Sequence, residues 1–494
     1  MIRLLGLLSL VLATPAAAQM VRVESGPIQG SAADGVTVFK GIPYAAAPVG
    51  PLRWHAPEPA AQWSEARDAG RFGADCMQNG FPGATGSGQP QSEDCLFLNV
   101  WSPAHADGAK LPVMVWIHGG GFVGGSSALP ESDGAQLAKR GVIVVSFNYR
   151  LGRFGFLAHP GLTAEAGGKP SGNWGLMDQI AALQWVRRNI AAFGGDPAHV
   201  TIFGESAGGE SVLRLMASPT ARGLFARAIA SSGGGRDTWP GIAAAEAKGA
   251  AFAAKAGAGD LAALRALPAA TVLGGINLLN KEEAVYSGPI TDGAIVPANA
   301  DRQFAQGAEA HIPAIIGNND DELGFVPAGF LPMVNAPALA TLGTHADTVS
   351  AAYGTPENAT RHIAADVMFT EPALAFARWH GRSAPTWLYR FGYVPAARRK
   401  PGTGAAHATD VIFQFDNLAH ADFAATAEDR AVAGRIADLW VNFAKTGNPN
   451  GAAPPRWTRL DPEAPAMLAI GTDAAMAPAG SLALTAISAA RDGK

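Results

Sequence analysis

The sequence predicts an α/β fold, a mostly parallel central sheet with helices on both faces. Short apolar, β-branched runs recur at residues 113–117, 142–148, 199–203, 226–231, 312–317 and 386–391. Continuous apolar runs of that length suit strands covered on both sides. Helical patterns lie between them. In 174–190, for example, Leu176, Ile180, Leu183, Val186 and Ile190 fall on one stripe. The third observation is Gly204-Glu205-Ser206-Ala207-Gly208 at the end of one apolar run. An abrupt strand-to-helix turn lifts a serine hydroxyl out of the packed surface, and flanking glycines relieve the crowding there.

The N-terminus reads as a segment apart from the fold. Met1-Ile2-Arg3 precedes an apolar run at 4–13 and then Pro15-Ala16-Ala17-Ala18. A positive start, a short apolar core and small residues make a secretory signal peptide, with cleavage expected after Ala18 and a mature domain over 19–494. A bilayer-spanning helix needs about 20 apolar residues, and no stretch of this chain is that long and apolar. The two cysteines, Cys76 and Cys95, flank a Gly/Pro/Ser-rich segment. In an oxidising compartment they are expected to form one disulfide, worth roughly 3 kcal/mol in the chain-entropy model.

Composition fits a large enzyme. With 494 residues, 48% of them apolar, one extensive core can form. No repeat or low-complexity linker divides the chain. A formal net charge of −4 gives no sign of nucleic-acid binding. No Cys/His cluster has zinc-site spacing, so neither metal nor cofactor is expected.

Chemistry-bearing segments follow in a telling order. The apolar run 113–117 enters His118-Gly119-Gly120-Gly121-Phe122, and glycines there leave backbone N–H groups free to point at a developing oxyanion. After Ser206 this architecture requires an acid and then a histidine. The acids Asp320-Asp321-Glu322 follow the run 312–317, and His407 lies on the small-residue loop Gly402-Thr403-Gly404-Ala405-Ala406. His118 reads as a turn or supporting residue. Segments 233–310 and 324–382 read as helical insertions over the C-terminal edge of the sheet. The run 426–446 reads as a late helix, ended by Gly447-Asn448-Pro449.

Further matches run from Val21 to the C-terminus. They include Phe39-Lys40-Gly41-Ile42-Pro43-Tyr44, Glu93-Asp94-Cys95-Leu96-Phe97-Leu98-Asn99-Val100-Trp101, Asn148-Tyr149-Arg150-Leu151-Gly152 and Gly172-Asn173-Trp174-Gly175-Leu176-Met177-Asp178-Gln179. On these residues the chain resembles the type-B carboxylesterases, the family of bacterial para-nitrobenzyl esterases, mammalian carboxylesterases and cholinesterases. The resemblance implies an α/β-hydrolase fold with helical insertions over the active site. It implies cleavage of small-molecule carboxylic esters through an acyl-enzyme. It places the nucleophile on Ser206, the acid on Glu322, the base on His407 and the oxyanion donors on Gly120, Gly121 and Ala207. It also suggests a supporting serine at Ser232 and ion pairs Arg53–Glu93 and Arg150–Asp178.

Two departures bear on function. Similar sequences carry Asp-Glu-Gly at the acid, where this chain has Asp321-Glu322-Leu323, which leaves Asp321 as a competing acid. Cholinesterases hold a quaternary ammonium over a tryptophan in the first disulfide loop. The segment 77–94 has no tryptophan, and Phe81 is its one aromatic residue, so neutral, largely apolar esters are the expected substrates. A non-catalytic adhesion relative is the alternative of another class, but it has no need of the whole catalytic set. An amidase or lactonase on the same triad is the other alternative. A lysine-base enzyme is excluded, since no Ser-x-x-Lys occurs.

The exported protein should begin at Gln19 and weigh less than its reduced form by the two hydrogens lost when Cys76 and Cys95 join. Intact mass before and after reduction checks both. Two titratable thiols in the native protein would refute the disulfide.

Overall fold

The computed structural model describes residues 17–80, 86–104, 106, 108–169, 171–236, 239–452 and 454–493. Of the expected signal segment, 1–18, residues 1–16 lie outside them. The described residues form a 13-stranded sheet. In chain order its main strands are β1 (Ala17–Val23), β2 (Gly26–Ala33), β3 (Val36–Pro43), β4 (Phe97–Pro103), β5 (Leu111–Ile117) and β6 (Ile143–Phe147). They continue with β7 (Gly195–Glu205), β8 (Arg227–Ser231), β9 (Ala314–Asn319), β10 (Thr386–Phe391), β11 (Ala466–Ile470) and β12 (Ala474–Pro478). Across the sheet the order is β1-β2-β3-β4-β6-β5-β7-β8-β9-β10-β11-β12.

All neighbours from β6 to β11 pair in parallel. Antiparallel strands flank this block on both sides. The six expected strands are six of the seven in this parallel block, within a few residues at their ends; the seventh, β11, was not among them. The antiparallel edges were not anticipated, although β2 and β3 are joined by Asp34-Gly35 at φ 52° and 77°, a hairpin-turn signal present in the sequence.

Successive side chains along each strand point to opposite faces, so the alternation separates two cores. Val113, Val115, Ile117, Ile202, Ala228 and Ala230 pack on one side. Met114, Trp116, Phe203 and Ile229 pack on the other. Helices α1 (Trp174–Asn189) and α2 (Ala207–Ala217) join the first core. The expected stripe of α1 is buried there in full, Leu176 through Ile190.

The late helix, α7 (Ala427–Thr446), covers the opposite face with Ile436, Trp440 and Phe443. Thr426 and Asp429 close a reciprocal capping box at its start, and Gly447 at φ 74° ends it. The longer helices between β8 and β10 are α3 (Ile242–Lys255), α4 (Leu331–Leu342), α5 (Pro356–Ala365) and α6 (Glu371–Gly381).

The insertions depart from expectation in two ways. Between 274 and 299 the first has no regular helix. In the second, α6 packs on β9 and β10 and shares the sheet's core through Leu374 and Phe376, so it is a crossover helix of the body. At the other end of the chain, β1 starts at Ala17, so the bond after Ala18 lies within a strand paired to β2.

Candidate active site

The parallel strands β5, β7, β9 and β10 bring the expected site residues to one edge, at their C-terminal ends. Loops there are not needed for sheet hydrogen bonding and are free to carry chemistry. β7 runs into Ser206, which adopts φ 57° and ψ −126°. Such a conformation costs a non-glycine residue about 1–3 kcal/mol and persists only where its surroundings hold it. Ser206 N donates to Ser231 O on β8 at 3.0 Å, and Glu210 N donates to Ser206 O at 2.8 Å. A Cβ at Gly208 would lie 1.9 Å from Ile117 O, so α2 approaches β5 as closely as its bare backbone allows. Ala207 opens α2, directing its N–H outward at the positive end of the helix dipole.

The glycine-rich loop after β5 folds back on itself. Val123 N and Gly124 N both donate to Gly120 O, at 3.1 and 3.0 Å. Gly120 stands at φ 110°, where a Cβ would meet Gly124 O at 2.1 Å. His118 has the supporting place expected of it. Its Nδ1 lies 2.8 Å from Gly119 O, its carbonyl accepts from Tyr149 OH at 3.0 Å, and its ring stacks on Tyr149 with centroids 4.5 Å apart. Burial pushes its pKa down to about 4, so the imidazole is neutral. The expected pair Arg150–Asp178 anchors the segment carrying Tyr149, with two side-chain bonds at 2.8 and 2.7 Å. Arg53 and Glu93 are paired as well, at 2.5 Å.

Glu322 and His407 meet. His407 Nδ1 lies 2.6 Å from Glu322 Oε2. The other carboxylate oxygen accepts from Ser232 Oγ at 2.6 Å and from Asn319 N at 2.8 Å. The competing acid faces away: Asp321 pairs with Arg361 at 2.8 Å. The turn that similar sequences make with a glycine directly after the acid uses Gly324 here. Gly324 N donates to Asp321 O at 2.6 Å, and a Cβ at that position would strike Asp321 Oδ2 at 2.5 Å. The glycine is displaced by one residue, which frees Leu323 to pack in the core.

Two further buried acids stand at the site, neither of them assigned a role from sequence. Glu205 Oε1 lies 3.2 Å from His407 Nε2, outside hydrogen-bond geometry. Burial pushes Glu205 up to about 8, opposed by the His407 charge. Asp410 accepts from Gln414 at 2.7 Å and Asn319 at 3.3 Å, and burial pushes it up to about 6. Burial depresses His407, but the carboxylates of Glu205 and Glu322 outweigh it and hold the imidazole up at about 10. The sequence signal for Glu205 was its place directly before Ser206; the signal for Asp410 was one turn beyond His407. No hydrogen bond joins Ser206 to His407 among the described residues. Such bonds often tighten only when substrate is bound.

Cys76 and Cys95 are joined, with their Cα atoms 5.0 Å apart. Phe81 lies outside the described residues. Among the described residues no group of acids, histidines and cysteines has the arrangement of a metal site.

A family model described as "Carboxylesterase family" matches residues 17–341 and 346–481. The chain belongs to this family. Among its relatives are the para-nitrobenzyl esterase of Bacillus subtilis (strain 168), 40% identical over 88% of this chain and 91% of that one, and the fumonisin B1 esterase of Sphingopyxis macrogoltabida, 37% identical over 91% and 87%. A solved PNB esterase structure superposes with a TM-score of 0.81 at 36% identity, covering 93% of this chain and 97% of its own. The fold is therefore that of these esterases, and the protein is a carboxylic ester hydrolase acting on small-molecule esters.

Proposed function

We propose that Ser206, His407 and Glu322 form a catalytic triad that cleaves neutral carboxylic esters through an acyl-enzyme. The observation that carries this reading is the 2.6 Å contact between His407 Nδ1 and Glu322 beside the strained turn at Ser206. Glu322 fixes the tautomer with the proton on Nδ1, leaving Nε2 to accept the serine proton. Ser206 Oγ attacks the ester carbonyl, and the carbonyl electron pair moves onto oxygen. The N–H groups of Gly120, Gly121 and Ala207 bind that oxyanion. The alkoxide leaves with the proton from His407. Water, deprotonated by the same imidazole, then releases the acid and restores Ser206. Ser232 and Asn319 N hold Glu322 from behind. We also propose export: the disulfide is compatible with an oxidising compartment, and no helix of the described residues is long and apolar enough to cross a membrane.

Neutral substrates are favoured by the charges around the pocket. Lys281 Nζ donates to Gly121 O at 2.9 Å, placing an ammonium beside the oxyanion loop, where it repels a cationic alcohol. Trp239 packs edge-on to Phe122, with centroids 5.9 Å apart. Its ring already carries the Arg214 guanidinium 3.9 Å from its centroid.

Ser206→Ala and His407→Ala should each lower kcat by several orders of magnitude, about as much as both together, because the residues act as a unit. Glu322→Gln should cost about 10³–10⁴-fold by unsetting the tautomer, while Asp321→Asn should leave most activity. Steady-state kinetics on para-nitrophenyl butyrate check this; greater damage from Asp321→Asn would move the acid to that residue.

Only the neutral imidazole accepts a proton, so activity should be lost as pH falls through the His407 pKa. Its carboxylate neighbours raise that pKa above the ordinary 6.5, which puts the acid limb of kcat/KM above that pH. Glu205→Gln removes one of those charges and should move the limb to lower pH. A limb that stays in place or moves upward in the variant would show that Glu205 does not set the base.

A neutral thioester should surpass butyrylthiocholine of matched acyl chain by about 2- to 30-fold in kcat/KM, the equivalent of a missing cation–π contact of 0.5–2 kcal/mol. A preference for the cationic substrate would overturn this view of the pocket.

A further inference from the structure

We propose that Gln78 is a positioning residue for the oxyanion loop, and that holding it is the functional task of the disulfide-closed segment. The inference rests on the reading that Gly120 and Gly121 bind the oxyanion. Gln78 pairs with both backbone groups of one residue beyond them. Its Oε1 accepts from Gly125 N at 2.9 Å, and its Nε2 donates to Gly125 O at 2.8 Å. Nε2 also donates to Cys76 O at 3.1 Å, which braces the side chain against its own loop. The next residue is held from the other side of the cysteine: Ser126 Oγ donates to Asp75 Oδ1 at 2.5 Å. Two side chains that bracket Cys76 thus grip consecutive residues of the catalytic loop.

The grip reaches the donor peptides because the loop has no slack. Gly120 O accepts from the N–H groups of Val123 and Gly124, so Gly120 and the residue before Gly125 are tied in one tight turn. Gly125 stands at φ 111°, and a Cβ there would lie 2.3 Å from both Gly119 O and His118 Nδ1. A shift of Gly125 must therefore displace 118–120. The neighbouring Asn79 donates to Gly274 O at 3.0 Å and Ile276 O at 2.8 Å. That tethers the segment whose Lys281 grips Gly121 O. Gln78 is only half-buried and contributes little to the core. Two of its three side-chain bonds are directed at the backbone of Gly125, which suits positioning better than packing. Backbone donors misplaced by even a fraction of an ångström lose transition-state stabilisation while substrate binding changes little.

The test compares wild type with Gln78→Met, which has similar length and no hydrogen-bonding amide, and Gln78→Glu, which keeps an acceptor for Gly125 N–H but loses the donor. A trifluoromethyl ketone is the probe. Ser206 Oγ adds to its carbonyl carbon, the serine proton passes to His407, and the carbonyl pair becomes an oxyanion in the hole. Gln78→Met should lower kcat about 10- to 100-fold with KM within about threefold. The ketone should bind more weakly by the same factor as kcat/KM falls. Gln78→Glu should lie between Met and wild type. Ser206 should still label to full stoichiometry with a fluorophosphonate. Unchanged kcat per labelled site and unchanged ketone affinity, even with a lowered Tm, would reduce Gln78 to a structural role and overturn the inference. Should Gln78→Met not fold, Gln78→Asn, whose amide falls one carbon short of Gly125, carries the same comparison. A wild type that the ketone does not inhibit would overturn the reading of the site itself, and this inference with it.

Discussion

At Ser206 the backbone stands at φ 57° and ψ −126°, and much of the molecule is arranged around keeping it there. The turn is possible because α2 can press against the ends of β5 and β8 with no side chain between. A Cβ at Gly204, Gly208 or Gly209 would fall 2.7 Å or less from a neighbouring backbone atom. The parallel strands on either side supply the rigid carbonyls that receive this contact, and the cores on both faces of the sheet prevent them from yielding. Stored strain of this kind survives only where packing over-determines the backbone, which is why a nucleophile is raised on a large, close-packed sheet rather than on a free loop.

The electrostatics of the site follow from burial as much as from pairing. One imidazole sits among the side chains of Glu322, Glu205 and Asp410, and Glu205 and Asp410 are shifted to different degrees because their partners differ. Glu322 receives hydrogen bonds from Ser232, Asn319 N and the imidazole, which hold it in place behind the ring. Glu205 has the imidazole as its only nearby counter-charge, so desolvation dominates and raises it. Asp410 is raised less, held by Gln414 and Asn319. The acids that favour a charged imidazole also lift the pH at which His407 could serve as the proposed base.

Support for the oxyanion loop comes from three directions. Tyr149 holds its first carbonyl, Gln78 of the disulfide-closed segment and Asp75 just before it hold its far end, and the irregular part of the first insertion lies on Gly121 through Lys281. The insertions therefore do more than cover the site. They complete the surroundings of the proposed oxyanion donors.

The elements legible in the sequence are those governed by local rules. The six apolar runs became six of the seven parallel strands, the stripe in α1 was buried as its period required, and Thr426 and Gly447 bound the late helix by capping chemistry. Ser206, His407 and the glycine loop could be named because strand, turn and glycine adjoin in the chain. Other features depend on partners distant in sequence. Which of Asp321 and Glu322 faces His407 was decided by Gly324, whose displaced turn sends one acid to Arg361 and the other inward. That Glu205 and Asp410 share the site arises because three loops converge on one sheet edge. Gln78 lies 47 residues from the peptide it holds, and only the closed disulfide loop brings it there. The sequence by itself determined the architecture and the proposed reacting groups, since both are written in short-range pattern. The tertiary structure alone decided their orientation and ionisation, since those depend on burial and on hydrogen bonds between distant segments.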